Sequence, residues 1–214
     1  MAWTLEAARA SGLFDRVIVS TDDAEIKQVA LQWGAECPFD RPAALANDYA
    51  DTGAVMAHAT EWAIEAGWPI DTVCCIYPTA PFVDQEDLKR GLDALRSGDW
   101  AFAVAAAECS PSVFRSFRQQ DAGGLEMVFP QYFGVRSQDL PRALHDAGQF
   151  YWGRASAWIE KRRLFDRWSV PVLIPKWRVQ DIDEPDDWAR AELMFSYMRT
   201  VGGGPAEAGR HVRR

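Results

Sequence analysis

Thr72-Val-Cys-Cys-Ile-Tyr-Pro-Thr-Ala-Pro-Phe-Val-Asp84 is the stretch on which the fold turns. Residues 72–77 form an apolar run without polar alternation, the pattern of a strand inside a parallel sheet. Pro78 and Pro81 cannot donate to a ladder, so the chain leaves the sheet as a stiff, doubly kinked loop. Asp84 then caps a helix expected to reach Ser97, and residues 100–106 form a second buried strand. Strand, helix and strand in that order make a right-handed βαβ unit.

The alternation extends outward from this unit. Upstream, residues 5–10 read as a helix with Gly12 past its end, and residues 16–20 as a β-branched strand. Asp22 or Asp23 caps a helix running to Trp33 and closed by Gly34. A longer helix is expected from Thr52 to near Gly67. Downstream, residues 149–152, 170–174 and 178–182 read as strands, and Pro185 onward as a helix. The fold class is α/β, a mostly parallel sheet with helices on both faces.

Between residues 111 and 147 the alternation stops. Polar turns, Gly123-Gly124 and the aromatics Phe129, Tyr132 and Phe133 take its place. An irregular insertion of that length with apolar residues covers a site or forms an interface. Residues 201–214 have no periodicity and read as a disordered tail.

The chain has 214 residues, enough for one domain with a sizeable core, and a net charge of −8. That acidity argues against nucleic acid or anionic membrane as a partner. No apolar stretch approaches a membrane span, and Met1-Ala-Trp-Thr-Leu-Glu lacks the basic start of a signal peptide. Cys37, Cys74, Cys75 and Cys109 show no zinc-like spacing, and the adjacent pair reads as small core residues. Together these features favour a reducing cytoplasm.

Arg178-Val-Gln-Asp-Ile-Asp-Glu-Pro-Asp-Asp-Trp188 carries the strongest chemical signal. In an extended chain, residues two apart point to the same side. Asp181 and Asp183 would then aim two carboxylates at one spot past a strand end, where open α/β sheets bind ligands. Two hard oxygen donors, with water and phosphate oxygens completing an octahedron, suit Mg²⁺. The competing reading makes Asp183 the cap of the following helix and Asp181 a solvated strand-end residue.

Other candidates also have a plain reading beside the chemical one. Ser20, Thr21 and Asp22 stand at a strand end and a helix start, where hydroxyls and free N–H groups bind phosphate or merely cap. Pro42 extends the backbone at Arg41, whose guanidinium could reach a crevice or stay on the surface. Gly148 allows close backbone approach. Gln149 can donate and accept to sugar hydroxyls. Phe150 and Trp152 read as core, His145 as structural, and His58 and His211 are discounted.

Taken in order, several blocks resemble the cytidylyltransferases that activate nine-carbon acidic sugars, the CMP-sialic acid synthetase family. They are Val17-Ile-Val-Ser-Thr-Asp-Asp23, Arg41-Pro-Ala-Ala-Leu-Ala46, Cys75-Ile-Tyr-Pro-Thr-Ala-Pro-Phe82, Arg136-Ser-Gln-Asp-Leu-Pro141, His145-Asp-Ala-Gly-Gln-Phe-Tyr-Trp-Gly-Arg154 and the acidic stretch above. Ala80-Pro81-Phe82 and Gly148-Gln-Phe-Tyr-Trp152 look like the pseudaminic acid branch. The resemblance implies a Rossmann-like nucleotidyltransferase fold and transfer of CMP from CTP to the sugar. It implies Asp181 and Asp183 as the catalytic Mg²⁺ ligands and a nucleotide site of Ser20, Asp22, Arg41 and Thr79. For the sugar it implies Tyr77, Arg136, Gln138, Gln149 and Tyr151, and it implies a homodimer formed through the insertion at about 111–147.

The family's opening strand and phosphate loop, of the form Ala-Arg-Gly-Gly-Ser-Lys, have no counterpart in these 214 residues. Met1-Ala-Trp-Thr-Leu-Glu-Ala-Ala resembles the helix that follows that loop. The expectation is a cytidylyltransferase domain over residues 1–200, short of its phosphate loop and impaired in activity. Three other readings stay open: a non-catalytic sugar- or nucleotide-binding relic, a sialic or legionaminic acid synthetase, and a phosphatase with an aspartyl nucleophile in Asp181-Ile-Asp183.

Overall fold

Capping carboxylates set the helix starts in the computed structural model, which describes residues 1–47, 49–109 and 111–201. Asp23 Oδ1 accepts from Glu25 N and Ile26 N at 2.8 Å and opens α2 (Ala24–Gln32). Asp51 Oδ1 accepts from Ala54 N at 2.9 Å before α3 (Thr52–Glu65). Asp84 Oδ1 accepts from Glu86 N at 2.8 Å before α4 (Gln85–Arg96). The first helix, α1, spans Ala2–Ala10, starting earlier than its periodicity suggested.

The strands are β1 (Thr72–Ile76), β2 (Phe102–Glu108), β3 (Phe117–Gln119), β4 (Leu125–Met127), β5 (Leu144–Arg154) and β6 (Ser169–Leu173). The main sheet has the order β1-β5-β2-β6. β1, β2 and β6 run in one direction, and β5 runs against them between β1 and β2. The βαβ unit read from residues 72–106 is therefore present, but its two strands are not neighbours. Among the described residues, β1 has only β5 beside it in the sheet, and it is half-buried along its whole length.

Side chains alternate between two buried clusters, as a pleated sheet requires. On one face Leu88, Leu92 and Leu95 of α4 pack on Ala103, Ala105, Phe150, Trp152 and Val172. On the other, Phe102, Val104 and Tyr151 meet Ala157 and Trp158 of α5 (Ala155–Ile159) and Met56 of α3. Cys74 faces the first cluster and Cys75 the second. Gly153 sits under the second: a Cβ there would lie 2.5 Å from Trp158 Nε1 and 2.7 Å from Phe102 Cδ1.

Two expected strands are not formed. Residues 16–20 make a single parallel bridge, Ile18 to Glu36, with Val19 N donating to Glu36 O at 2.8 Å. Residues 178–182 pair with no strand; a 3₁₀ turn, Lys176–Arg178, leads instead into irregular backbone before α6 (Pro185–Val201). An apolar or alternating run without a ladder partner stays a loop. The insertion, read as irregular, holds the antiparallel pair β3–β4, closed by Gly123 and Gly124 at φ 83° and 92°. Of the expected tail, residues 202–214, with His211, lie outside the described residues.

Candidate functional site

β5 changes register where it passes the end of the sheet. Val104 pairs with Tyr151 but Ala106 pairs with Asp146, so Ala147–Phe150 face the single residue Ala105. Gly148, at φ 60°, takes the left-handed turn this bulge needs. Asp146 fastens the bulge from both sides: Oδ1 accepts from Gly148 N at 2.9 Å and Oδ2 from the Tyr151 hydroxyl at 2.5 Å. Burial, and then the Asp146 carboxylate, push the Tyr151 hydroxyl far above its ordinary range. Tyr77 stands edge-on to Tyr151 with centroids 5.4 Å apart, and its hydroxyl lies 2.8 Å from Thr52 Oγ1.

Arg41 belongs to the same region. Its guanidinium donates to Ser20 Oγ at 3.2 Å and to the Ser20 carbonyl, and its N–H donates to Thr21 O at 3.0 Å. Burial pushes the Cys75 thiol up to about 12, with the Arg41 charge pulling it down and the Asp146 charge adding to the rise. One buried thiol thus feels both the cation and the anion of the cluster.

Asp181 approaches from the far side. A Cβ on Gly148 would lie 3.2 Å from Asp181 Cγ, so glycine lets this carboxylate approach the bulge closely. Burial raises the Asp181 carboxyl above its usual range, and the charge of Asp183, then those of Asp146 and Asp187, raise it further. The two carboxylates therefore interact although the strand expected to align them is absent. Asp183 does not cap α6. Asp187, in the first turn of α6, instead reaches back over the chain leading in: its Oδ2 accepts from Asp183 N at 3.3 Å and Glu184 N at 3.1 Å. These bonds hold the Asp187 carboxyl below its usual range.

Hard carboxylate oxygens that repel one another fit a divalent cation. Asp181 and Asp183 supply two donors only. Among the described residues no group of three or more His, Cys, Asp or Glu is arranged to hold a metal by itself.

The sequence-predicted residues divide. Ser20, Arg41, Tyr77, Asp181 and Asp183 gather at one end of the sheet; Tyr151, expected to meet a sugar, lies behind them in the core at 1% exposed. Asp22 and Thr79 are exposed, next to Thr21 and Pro78. Gln149, expected to meet a sugar, is instead 1% exposed, and its Nε2 donates to the Arg178 carbonyl at 2.6 Å. The bulge turns it inward. Arg136 and Gln138 lie on the exposed insertion, where Arg136 pairs with Asp139 at 2.7 Å. A cleft of about 200 Å³ runs between the end of β2, Phe114 and Pro141 of the insertion, and Lys176, which opens the turn leading to Asp181.

Asp146, Thr52 and Asp187 were not singled out from sequence. Asp146 carried a local signal, since Asp two residues before Gly is an Asx turn. Thr52 and Asp187 carried none that distinguishes them from ordinary helix-start residues.

The sequence pattern of the family described as Cytidylyltransferase matches residues 1–119. The chain is 36% identical over 195 residues to the pseudaminic acid cytidylyltransferase of Campylobacter jejuni subsp. jejuni serotype O:2, covering 91% of this chain and 84% of that protein. It is 28% identical to the CMP-N,N'-diacetyllegionaminic acid synthase of Legionella pneumophila, with the same two shares covered. A solved CMP:2-keto-3-deoxy-manno-octonic acid synthetase complexed with CTP superposes with a TM-score of 0.57 over 90% of this chain and 88% of that one. Its sequence identity is 14%, so that likeness speaks for the fold alone.

Proposed function

The chain belongs to the cytidylyltransferase family, and from that premise we propose that it transfers CMP from CTP to an acidic nine-carbon sugar, pseudaminic acid by preference. The identity to a pseudaminic acid cytidylyltransferase over nine-tenths of the chain carries this reading. The clustering of Asp181 and Asp183 with Arg41, Tyr77 and Tyr151 supports it.

In this reaction the anomeric hydroxyl of the sugar attacks the α-phosphorus in line. The bond to the bridging oxygen breaks, pyrophosphate leaves with the electron pair, and the hydroxyl proton passes to solvent water. Mg²⁺, when bound, supplies positive charge against the triphosphate oxygens. Asp181 and Asp183 would hold it, and a cation would relieve the repulsion that already lifts Asp181. Arg41, steadied by Ser20, presents a fixed positive charge to the nucleotide, with Asp22 and Thr79 exposed on that side. Tyr77, half-buried and locked through Thr52, forms a wall for the sugar, and the buried Tyr151 braces it from behind through Asp146.

Pyrophosphate release with CTP, Mg²⁺ and either pseudaminic acid or N-acetylneuraminate tests the proposal. Pseudaminic acid is expected to react faster, by up to about 10²-fold, since loop contacts of this kind discriminate by a few kcal/mol at most. Equal or faster release with N-acetylneuraminate would remove the sugar assignment. No release with either sugar would remove the reaction.

The reading includes a homodimer through the insertion. Phe117, Leu125, Val128 and Phe133 are all at least half exposed there, an apolar surface that calls for cover. Sedimentation velocity at micromolar concentration should show a dimer, and Phe133→Asp should shift it to monomer. A wild-type monomer at that concentration would count against it. A cytoplasmic setting is part of the same reading, supported by four free cysteines.

A further inference from the structure

We infer that Asp87, acting through Arg178, is a positioning residue for the Asp181–Asp183 pair; the inference rests on the metal role proposed for those two carboxylates. Asp87 lies in the first turn of α4, is 2% exposed, and is untouched by the chemistry described above. A buried carboxylate persists only when paired. Its Oδ1 is already met by Arg90, one turn along the same helix, whose Nη2 also donates to Leu173 O at 3.0 Å. Charge balance is therefore satisfied locally. Yet Oδ2 takes a second cation, Arg178 Nη2 at 2.5 Å, from the far side of the sheet's end.

Arg178 is held at four points, the weakest an ion pair with Asp84 Oδ2 at 4.0 Å. Its guanidinium is on Asp87, its carbonyl accepts from Gln149 Nε2 at 2.6 Å, and its N–H donates to Pro175 O at 2.8 Å. Its side chain is only 13% exposed. Beyond it, residues 179–184 belong to no helix or strand; Val179 still packs against the core, and the next polar anchor is Asp187, which accepts from Gln180 Nε2 at 3.2 Å and from the Asp183 and Glu184 N–H groups. Asp181 and Asp183 thus hang between two tethers, and the Arg178 tether decides where the loop leaves the protein body. Partners one step removed from metal ligands characteristically matter by about 10–100-fold in affinity or activity.

The test compares wild type, Asp87→Asn, Arg178→Lys and the double variant. Mn²⁺ binding in the presence of CTP is followed by electron paramagnetic resonance, beside kcat, KM for CTP, and near-ultraviolet circular dichroism as a check on folding. Asp87→Asn is expected to weaken Mn²⁺ binding at least about tenfold and to lower kcat by about 10²-fold. KM for CTP should stay unchanged. Arg178→Lys keeps the charge but loses the planar fork and should fall between. The double variant should be no worse than Asp87→Asn, because the two residues act as one unit. If Asp87→Asn does not fold, Arg178→Lys decides. Unchanged Mn²⁺ affinity in a folded variant, with only thermal stability lost, overturns the inference and leaves the proposed function standing. Additive losses overturn it too. Failure of wild type to bind Mn²⁺ with CTP overturns both.

Discussion

Asp183→Asn should abolish CMP transfer while leaving thermal unfolding close to wild type. The residue is exposed, supports no element, and Asn keeps its shape; surface changes of that sort fall within about ±0.5 kcal/mol. What the substitution removes is one of two charges available to a divalent cation. Loss of one electrostatic stabiliser of the leaving group costs about 10²–10³ in rate. The variant carries a second signature. The Asp183 charge is the largest cause after burial of the raised Asp181 carboxyl. Without it, the Asp181 pKa should fall part of the way back, burial still holding it up. Pyrophosphate release, calorimetry and an NMR titration of Asp181 read the three effects. Undiminished turnover would take the metal assignment away.

The largest loss of stability is expected from Gly153→Ala, about 3 kcal/mol. The added methyl would lie 2.5 Å from Trp158 Nε1 and 2.7 Å from Phe102 Cδ1, in a cluster where both rings are buried. Neither ring can yield cheaply. Trp158 donates to Val73 O at 3.1 Å, and its ring is edge-on to Phe102 at 4.9 Å. Overpacking costs about 1–3 kcal/mol, and an orphaned buried donor about 1–3 more. For a chain of this size 3 kcal/mol lowers Tm by roughly 6–12 °C. Gly134→Ala, with nothing within 4 Å of its Cβ, is the control and should leave Tm unchanged. A Gly153→Ala Tm equal to wild type would show that the cluster is loosely packed.

What was legible in the sequence was short-ranged. The caps at Asp23 and Asp84 are contacts two or three residues long, and both stand where Asp preceded a helical period. The α/β class followed from the spacing of apolar runs. The place of β5 between β1 and β2 did not, because pairing between residues as far apart as Thr72 and Arg154, or Phe102 and Gly153, leaves no local mark. Residues 178–182 alternate like a strand but meet no ladder, and side chains from α4 and β5 hold them instead. Gln149 shows the same limit within the site. Its amide suited a sugar as well as a carbonyl, and only the bulge at Gly148 turns it toward Arg178. Asp181 and Asp183 lie close enough for their charges to interact, though not through the strand alternation from which the pair was read.

The paired thiols of β1 have a use of their own. A thiolate, not a thiol, attacks an electrophile. With its thiol pushed up to about 12, Cys75 is ionised in only about one molecule in 10⁴ at pH 8, whereas an unfolded cysteine is ionised in roughly one in four. Cys74, on the opposite face, is pushed up in the same direction by burial. Iodoacetamide would therefore modify these residues almost solely in molecules whose first strand has peeled from β5. The mass added at Cys74 and Cys75, read apart from labels on Cys37 and Cys109, becomes a clock for strand separation, counted one covalent label at a time.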